Sequence, residues 1–273
     1  MYRPYLNGLS FNHFTSHTDI PHHLTHTHCR VIFCRFGSMK KYLFIVLLVG
    51  FWSCEQKENP PVQIYGALFE IMHKGDLSSR ISLNQFDNDA NRFALGALKD
   101  LEGEILILDS KPFISYETSN RNVGISNDYN HEAALYVSTV VNDWSELKLP
   151  ANVNTTQQLE KYIEEISSDN HINIEEPFPF LIKGVSSEVN WHIINWDSKD
   201  TVHSHQKHIE SGLSGLLEDT PMTILGFYSK NHKTIFTHHT TFIHMHFLTD
   251  DEKIAGHIDD IIFGDAQTLY LPN

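Results

Sequence analysis

From residue 62 onward the pattern is globular, with short apolar-rich runs separated by polar turns, most of them reading as strands. The runs at 62–67, 93–98, 104–108, 112–116 and 133–141 read this way. So do 178–182, 189–196, 222–228, 241–248 and 254–263. Two stretches depart from it. Residues 68–73 read as a short helix ended by Gly75. In the second, Leu159, Tyr162, Ile163 and Ile166 fall at i, i+3, i+4 and i+7, so 155–168 is an amphipathic helix. Asn154-Thr155-Thr156-Gln157 before it looks like a capping box, with Gln157 closing on Asn154. Asp109-Ser110-Lys111 reads as a turn. Few helices among many strands, with no internal repeat, predict an α+β fold of two mixed or antiparallel sheets.

The first 61 residues follow neither period. Met39 opens Met-Lys-Lys followed by an uncharged run, residues 42–52, and then Ser53-Cys54. Eleven apolar residues are too few for a membrane-spanning helix, which needs about 20. They suit the core of a signal peptide, with Cys54 placed where a bacterial lipoprotein carries its lipid. Phe51 and Trp52 depart from the usual lipoprotein signal, so ordinary secretion stays open. The expected organisation is therefore an upstream leader at 1–38 and a signal peptide at 39–54. A polar tether at 55–61 and one domain at 62–273 follow. The protein is expected to be exported, touching a membrane only through a lipid on Cys54.

Composition narrows the partners. The 273 residues carry a formal charge of −14, which argues against nucleic acid, since phosphate binding needs a basic face. The three cysteines all lie within the first 54 residues, so the domain folds without disulfides. Histidine is abundant, at 19. Six of these lie in the first 28 residues, where they could form a metal-binding tract.

The sharpest chemistry sits in Phe242-Ile243-His244-Met245-His246-Phe247-Leu248. On a strand His244 and His246 share one face, while Ile243, Met245 and Phe247 point into apolar packing. The polar turn 249–253 leads into Ile254-Ala255-Gly256-His257. A hairpin symmetric about Asp251 and Glu252 sets His257 opposite His246. Three imidazoles on adjacent strands can occupy three corners of a tetrahedral zinc site and leave one position open, the arrangement of a catalytic metal. His203, His205, His208, His238 and His239 could form a rival or second site, or be exposed polar residues on loops.

These segments together resemble the acetolactate decarboxylase family over nearly all of the domain. Gly75-Asp76-Leu77 is similar to its early Gly-Asp-Leu. Leu95-Gly96 with 101–109 resembles its Leu-Asp-Gly-Glu hairpin, and 224–228 its Ile-Val-Gly-Phe strand. His244-Met245-His246-Phe247 with Gly256-His257 is similar to its zinc motif. The resemblance implies a two-sheet α+β fold with the metal in a cleft, and a homodimer. It implies conversion of 2-acetolactate, or a related branched 2-hydroxy-3-keto acid, to acetoin and carbon dioxide. Zinc would sit on His244, His246 and His257. The family's strand glutamate corresponds to Glu104, a proton donor or substrate-orienting group.

Three departures mark a divergent branch. Ala97 stands where the family has threonine. The family's substrate-facing arginine has no counterpart in 200–208, where His203 falls nearest and is the second candidate catalytic residue. The chain as read ends at Asn273, without a counterpart of the family's C-terminal glutamate. The competing readings are an exported zinc lyase, a non-catalytic binder of metal or small acid on the same fold, and a metal-handling protein. An arginine near the pocket, such as Arg80, Arg92 or Arg121, would favour the enzyme.

Overall fold

The structure is a computed structural model, and it describes residues 60–273. The expected leader at 1–38, the expected signal peptide at 39–54 and most of the expected tether lie outside the described residues.

Two antiparallel sheets make up the domain. The first is built from β1 (Gln63–Tyr65), β2 (Ile81–Ser82), β3 (Arg92–Leu98), β4 (Glu104–Leu108), β5 (Lys111–Glu117), β6 (Val123–Ser126) and β7 (Glu132–Val140). Its strand order is β1-β7-β3-β4-β5-β6, with β2 also on β7. The second comprises β8 (Trp144–Lys148), β9 (Phe178–Ile193), β10 (Leu213–Tyr228), β11 (Ile243–Thr249), β12 (Ala255–Phe263) and β13 (Thr268–Pro272). Here β9, β10, β11 and β12 each pair with the next, and β12 pairs back onto β9, so the four strands close into a ring. Strand β13 continues along β9 and carries β8 at the edge. Among the described residues three α-helices sit outside the sheets: α1 (Leu68–Lys74), α2 (Thr156–Ser167) and α3 (His205–Ser211). Among the described residues no helix is long and apolar enough to cross a membrane.

Local chemistry explains most elements. Helix α1 ends where Gly75 turns left-handed at φ 62°, and its amide caps the carbonyls of Glu70 and Ile71. Helix α2 has its capping box one residue later than the sequence suggested. Thr155 accepts from the Gln158 amide, and the Gln158 side chain reaches back to the Thr155 amide. Its stripe is as expected: Leu159 and Ile163 are fully buried against the second sheet. Asp109 and Ser110 both have positive φ and join Leu108 to Lys111 in a two-residue hairpin, the twist a tight antiparallel turn requires.

The run expected at 178–182 and most of that expected at 189–196 form one strand, which ends at Ile193, short of the expected 196, and the run at 222–228 is the far half of another. Gly184, at φ 134°, lets β9 continue through the polar stretch between the two runs. The strands β2, β6, β8 and β13 and helix α3 are additional to the expected elements.

Side-chain parity assigns each face. On the first sheet, Leu95, Leu106, Phe113 and Val137 pack toward Leu181, Leu225, Phe227 and Leu248 of the second. Ala94, Ile105, Ile107 and Tyr136 pack on the opposite face, under Leu83 and Phe86. Glu104 shares parity with Leu106 and so faces the second sheet. On β11, Ile243, Met245 and Phe247 belong to the core beneath α2, while Leu248 joins the layer between the sheets. His244 and His246, with the parity of Leu248, are thereby turned toward the first sheet.

Candidate metal centre

The hairpin register brings the three histidines together. His246 pairs directly with His257, and His257 pairs on its other side with His192 of β9. One row across three strands thus carries three imidazoles, with His244 two residues along β11. His244 Nε2 lies 3.2 Å from His246 Nε2 and 3.1 Å from His257 Nδ1. A tetrahedral zinc with Zn–N bonds of about 2.0–2.1 Å spaces its nitrogens roughly 3.3 Å apart. The donor set and its spacing fit that ion.

The surroundings hold these rings neutral. His246 is fully buried, and its Nδ1 donates to the Ile105 carbonyl at 2.9 Å, leaving the Nε2 lone pair for a ligand. Burial pushes its pKa, and that of His257, well below the usual histidine value. Burial lowers His244 to about 4. The Phe236 carbonyl opposes this, but it falls short of hydrogen-bonding geometry, and His244 Nδ1 is buried without a partner. Three neutral nitrogens turned on one another present lone pairs to a common point, which a cation satisfies and a single shared proton does not.

Glu104 lies beside this triad. One oxygen accepts from the Ile194 amide at 3.2 Å and sits 3.8 Å from His192 Nε2. The other is 3.7 Å from His246 Nε2. Burial pushes the Glu104 carboxyl up to about 7, against the opposing pull of His192 and the Ile194 amide. The packing of the two sheets determines what Glu104 meets.

Two further groups had not been singled out in the sequence. His192 is buried, and its Nδ1 lies 2.9 Å from both oxygens of Asp259. Burial lowers the His192 pKa, but the Asp259 hydrogen bond and the charges of Glu104 and Asp259 outweigh it, and the net shift is upward. A bulge in β12 between Ile258 and Asp260 inserts Asp259 as an extra residue on the side of His192. The sequence signal was present but faint. Val189, Trp191 and Ile193 alternate with Asn190 and His192, so His192 faces away from the apolar core beneath α2.

The remaining candidates lie elsewhere. His203 stacks on Trp196 with ring centres 4.4 Å apart, and its Nδ1 is 3.0 Å from His208 Nε2. It is not among the residues whose ligating atoms converge with the triad. His205 contacts His238, whose Nδ1 bonds Thr240 Oγ1 at 2.8 Å, and His239 stacks on His238. Arg80 is paired with Glu70 and Asp76, and Arg92 with Asp89 and Ser138. Arg121 is paired with Glu117 and reaches the Gly212 carbonyl at 3.5 Å. Ala97 pairs with Glu104 and packs into the layer between the sheets.

Residues 65–270 match the protein family described as alpha-acetolactate decarboxylase. The chain belongs to the alpha-acetolactate decarboxylase family. Its fold is that of an acetolactate decarboxylase from Bacillus subtilis strain 168, with a TM-score of 0.61 at 13% identity over 78% of this chain and 86% of that one. A second B. subtilis enzyme, from subspecies spizizenii, gives 0.60 at 14% identity, over 78% and 87%. A Staphylococcus aureus protein of unknown function, similar to alpha-acetolactate decarboxylase, gives 0.59 at 14% identity, over 78% and 86%. No curated protein sequence matches the chain. The family acts on a small-molecule substrate and in general depends on zinc.

Proposed function

We propose that this protein decarboxylates 2-acetolactate, or a related branched 2-hydroxy-3-keto acid, at a zinc ion held by His244, His246 and His257. The observation that carries this reading is the convergence of the three imidazole nitrogens, with a Glu104 oxygen 3.7 Å from His246 Nε2. Bound zinc supplies Lewis acidity toward the oxygens of the hydroxy-keto acid.

The chain's own groups do the rest. Loss of carbon dioxide leaves an electron pair on carbon that must take up a proton. Glu104 stands beside the triad with its carboxyl raised to about 7 by burial, which favours its protonated form. The Ile194 amide fixes one Glu104 oxygen and so aims the carboxyl. Ile105 orients His246 through its carbonyl. The surrounding layer of Leu95, Leu106, Leu225 and Leu248 excludes water from these groups.

The test is acetoin formation from 2-acetolactate by the full chain, before and after zinc removal with a chelator. Turnover that disappears with the metal and returns on adding it supports the proposal. No turnover of any branched hydroxy-keto acid by zinc-loaded protein overturns it.

One observation favours a second reading, a non-catalytic binder of metal or small acid. Arg80, Arg92 and Arg121, the arginines of the described residues, are all engaged with acidic partners outside the triad. Zinc-dependent binding of the acid without turnover would decide for it.

A further inference from the structure

Beside the three converging imidazoles lies a second convergence of ligating atoms. One such atom from each of His192, His257 and Asp259 lies within 4.8 Å of the other two. His257 is common to both groups, pairing with His246 on one neighbouring strand and with His192 on the other. Its ring centre is 5.3 Å from that of His246 and 4.9 Å from that of His192. It therefore stands at the border of two donor sets.

The backbone builds the second set. Gly256 lets β12 close on β9: a Cβ there would stand 2.7 Å from the His192 carbonyl oxygen. Further along, the bulge between Ile258 and Asp260 brings Asp259 to the side of His192. Asp259 then presents both oxygens to His192 Nδ1, each at 2.9 Å. A hydrogen bond needs only one of them. Two donors held at right angles on one ion, with bonds of about 2.1 Å, stand roughly 3.0 Å apart. The spacing of ring and carboxylate is the spacing of neighbouring ligands. The His192 side chain is 7% exposed and that of Asp259 14%, so the set is screened from bulk water yet reached from the Asp259 side.

Donor chemistry separates the two positions. The first offers nitrogen alone, which suits zinc. The second offers two imidazoles and one carboxylate, the set that holds ferrous iron in non-haem sites, and carboxylate oxygen also suits manganese. We infer that His192, His257 and Asp259 form a second cation position, suited to manganese(II) or iron(II) and separate from the zinc position. The inference does not depend on the decarboxylase reading, with which it shares only His257.

The experiment uses binding of the metal alone. The full chain is stripped with a chelator and titrated with manganese(II), followed by loss of the free-ion electron paramagnetic resonance signal. A second portion receives one equivalent of zinc, and its retention is measured by mass spectrometry. Wild type is expected to take up both ions. Asp259→Ala should weaken manganese binding by at least about 100-fold, more than the loss of an outer partner costs, and keep its zinc. His244→Ala should do the reverse, losing zinc and keeping manganese. Retained zinc in Asp259→Ala also reports that the protein is folded and His257 in place. Failure of wild type to bind manganese would overturn the inference while leaving the zinc reading intact. Wild-type manganese affinity in Asp259→Ala would overturn it too. So would loss of manganese from His244→Ala, which would put that ion on the triad.

Discussion

The imidazole of His246 donates its Nδ1 hydrogen to the main-chain carbonyl of Ile105, 2.9 Å away across the two sheets. A carbonyl can only accept, so the tautomer is settled and Nε2 is left bare toward His244. One hydrogen bond from the first sheet thus prepares a ligand on the second.

Metal binding should follow that preparation. His244→Ala, His246→Ala and His257→Ala each remove one of three donors. Each should weaken zinc binding by more than the roughly 10- to 100-fold that losing an outer partner costs. The zinc-dependent gain in melting temperature should shrink in parallel. His238→Ala, whose Nδ1 bonds Thr240, should leave both unchanged. Zinc content by mass spectrometry checks this, and full occupancy in the His246→Ala protein would refute the assignment.

Glu104→Gln should keep zinc and lose turnover. The amide preserves size and can still accept from the Ile194 amide, but it has no proton to deliver. A loss of about 10²- to 10⁴-fold in acetoin formation is expected, the usual contribution of a general acid or base. Zinc is measured on both proteins so that metal loss is not mistaken for a chemical effect. Undiminished activity in the zinc-loaded variant would remove Glu104 from the mechanism.

The metal-free protein should weaken as pH falls from 7 to 5. His244 has a folded pKa of about 4 against 6.5 when free, so the unfolded chain takes up the proton first and stability drops below 6.5. At pH 5 this amounts to about 2 kcal/mol from His244 alone. His246 and His257 shift the same way, whereas His192 and Glu104, both raised in the fold, work against them and reduce the net slope. Urea denaturation after chelation reads the slope, and equal stability at the two pH values would contradict the buried, neutral assignment.

Gly256→Ala should be costly for a small change. The added Cβ would meet the His192 carbonyl oxygen at 2.7 Å, and backbone cannot swing aside as a flexible side chain does. A loss of about 1–3 kcal/mol is expected, as for other overpacked positions. Because β12 carries His257, zinc affinity should fall too. Denaturation midpoints and zinc titration of the same variant test both halves.

What the sequence determined by itself was local. The alternation around His244 and His246, and the symmetry of the five-residue connection to Ile254, were enough to set His257 opposite His246, because a hairpin's register depends only on its turn. The stripe of α2 and the left-handed Gly75 were equally legible, since each depends on neighbours within one or two turns. The meeting of Glu104, His192 and Asp259 was not. Glu104 and Ile194 are 90 residues apart, and their hydrogen bond exists because two sheets pack face to face. Asp259 reaches His192 through a bulge that no alternation pattern announces, since an inserted residue appears only when β12 is laid against β9. His203 stood out in the sequence by its neighbours in the chain. Its place in the structure comes from the stacking of its ring on Trp196, which ties it to His208 instead of the triad.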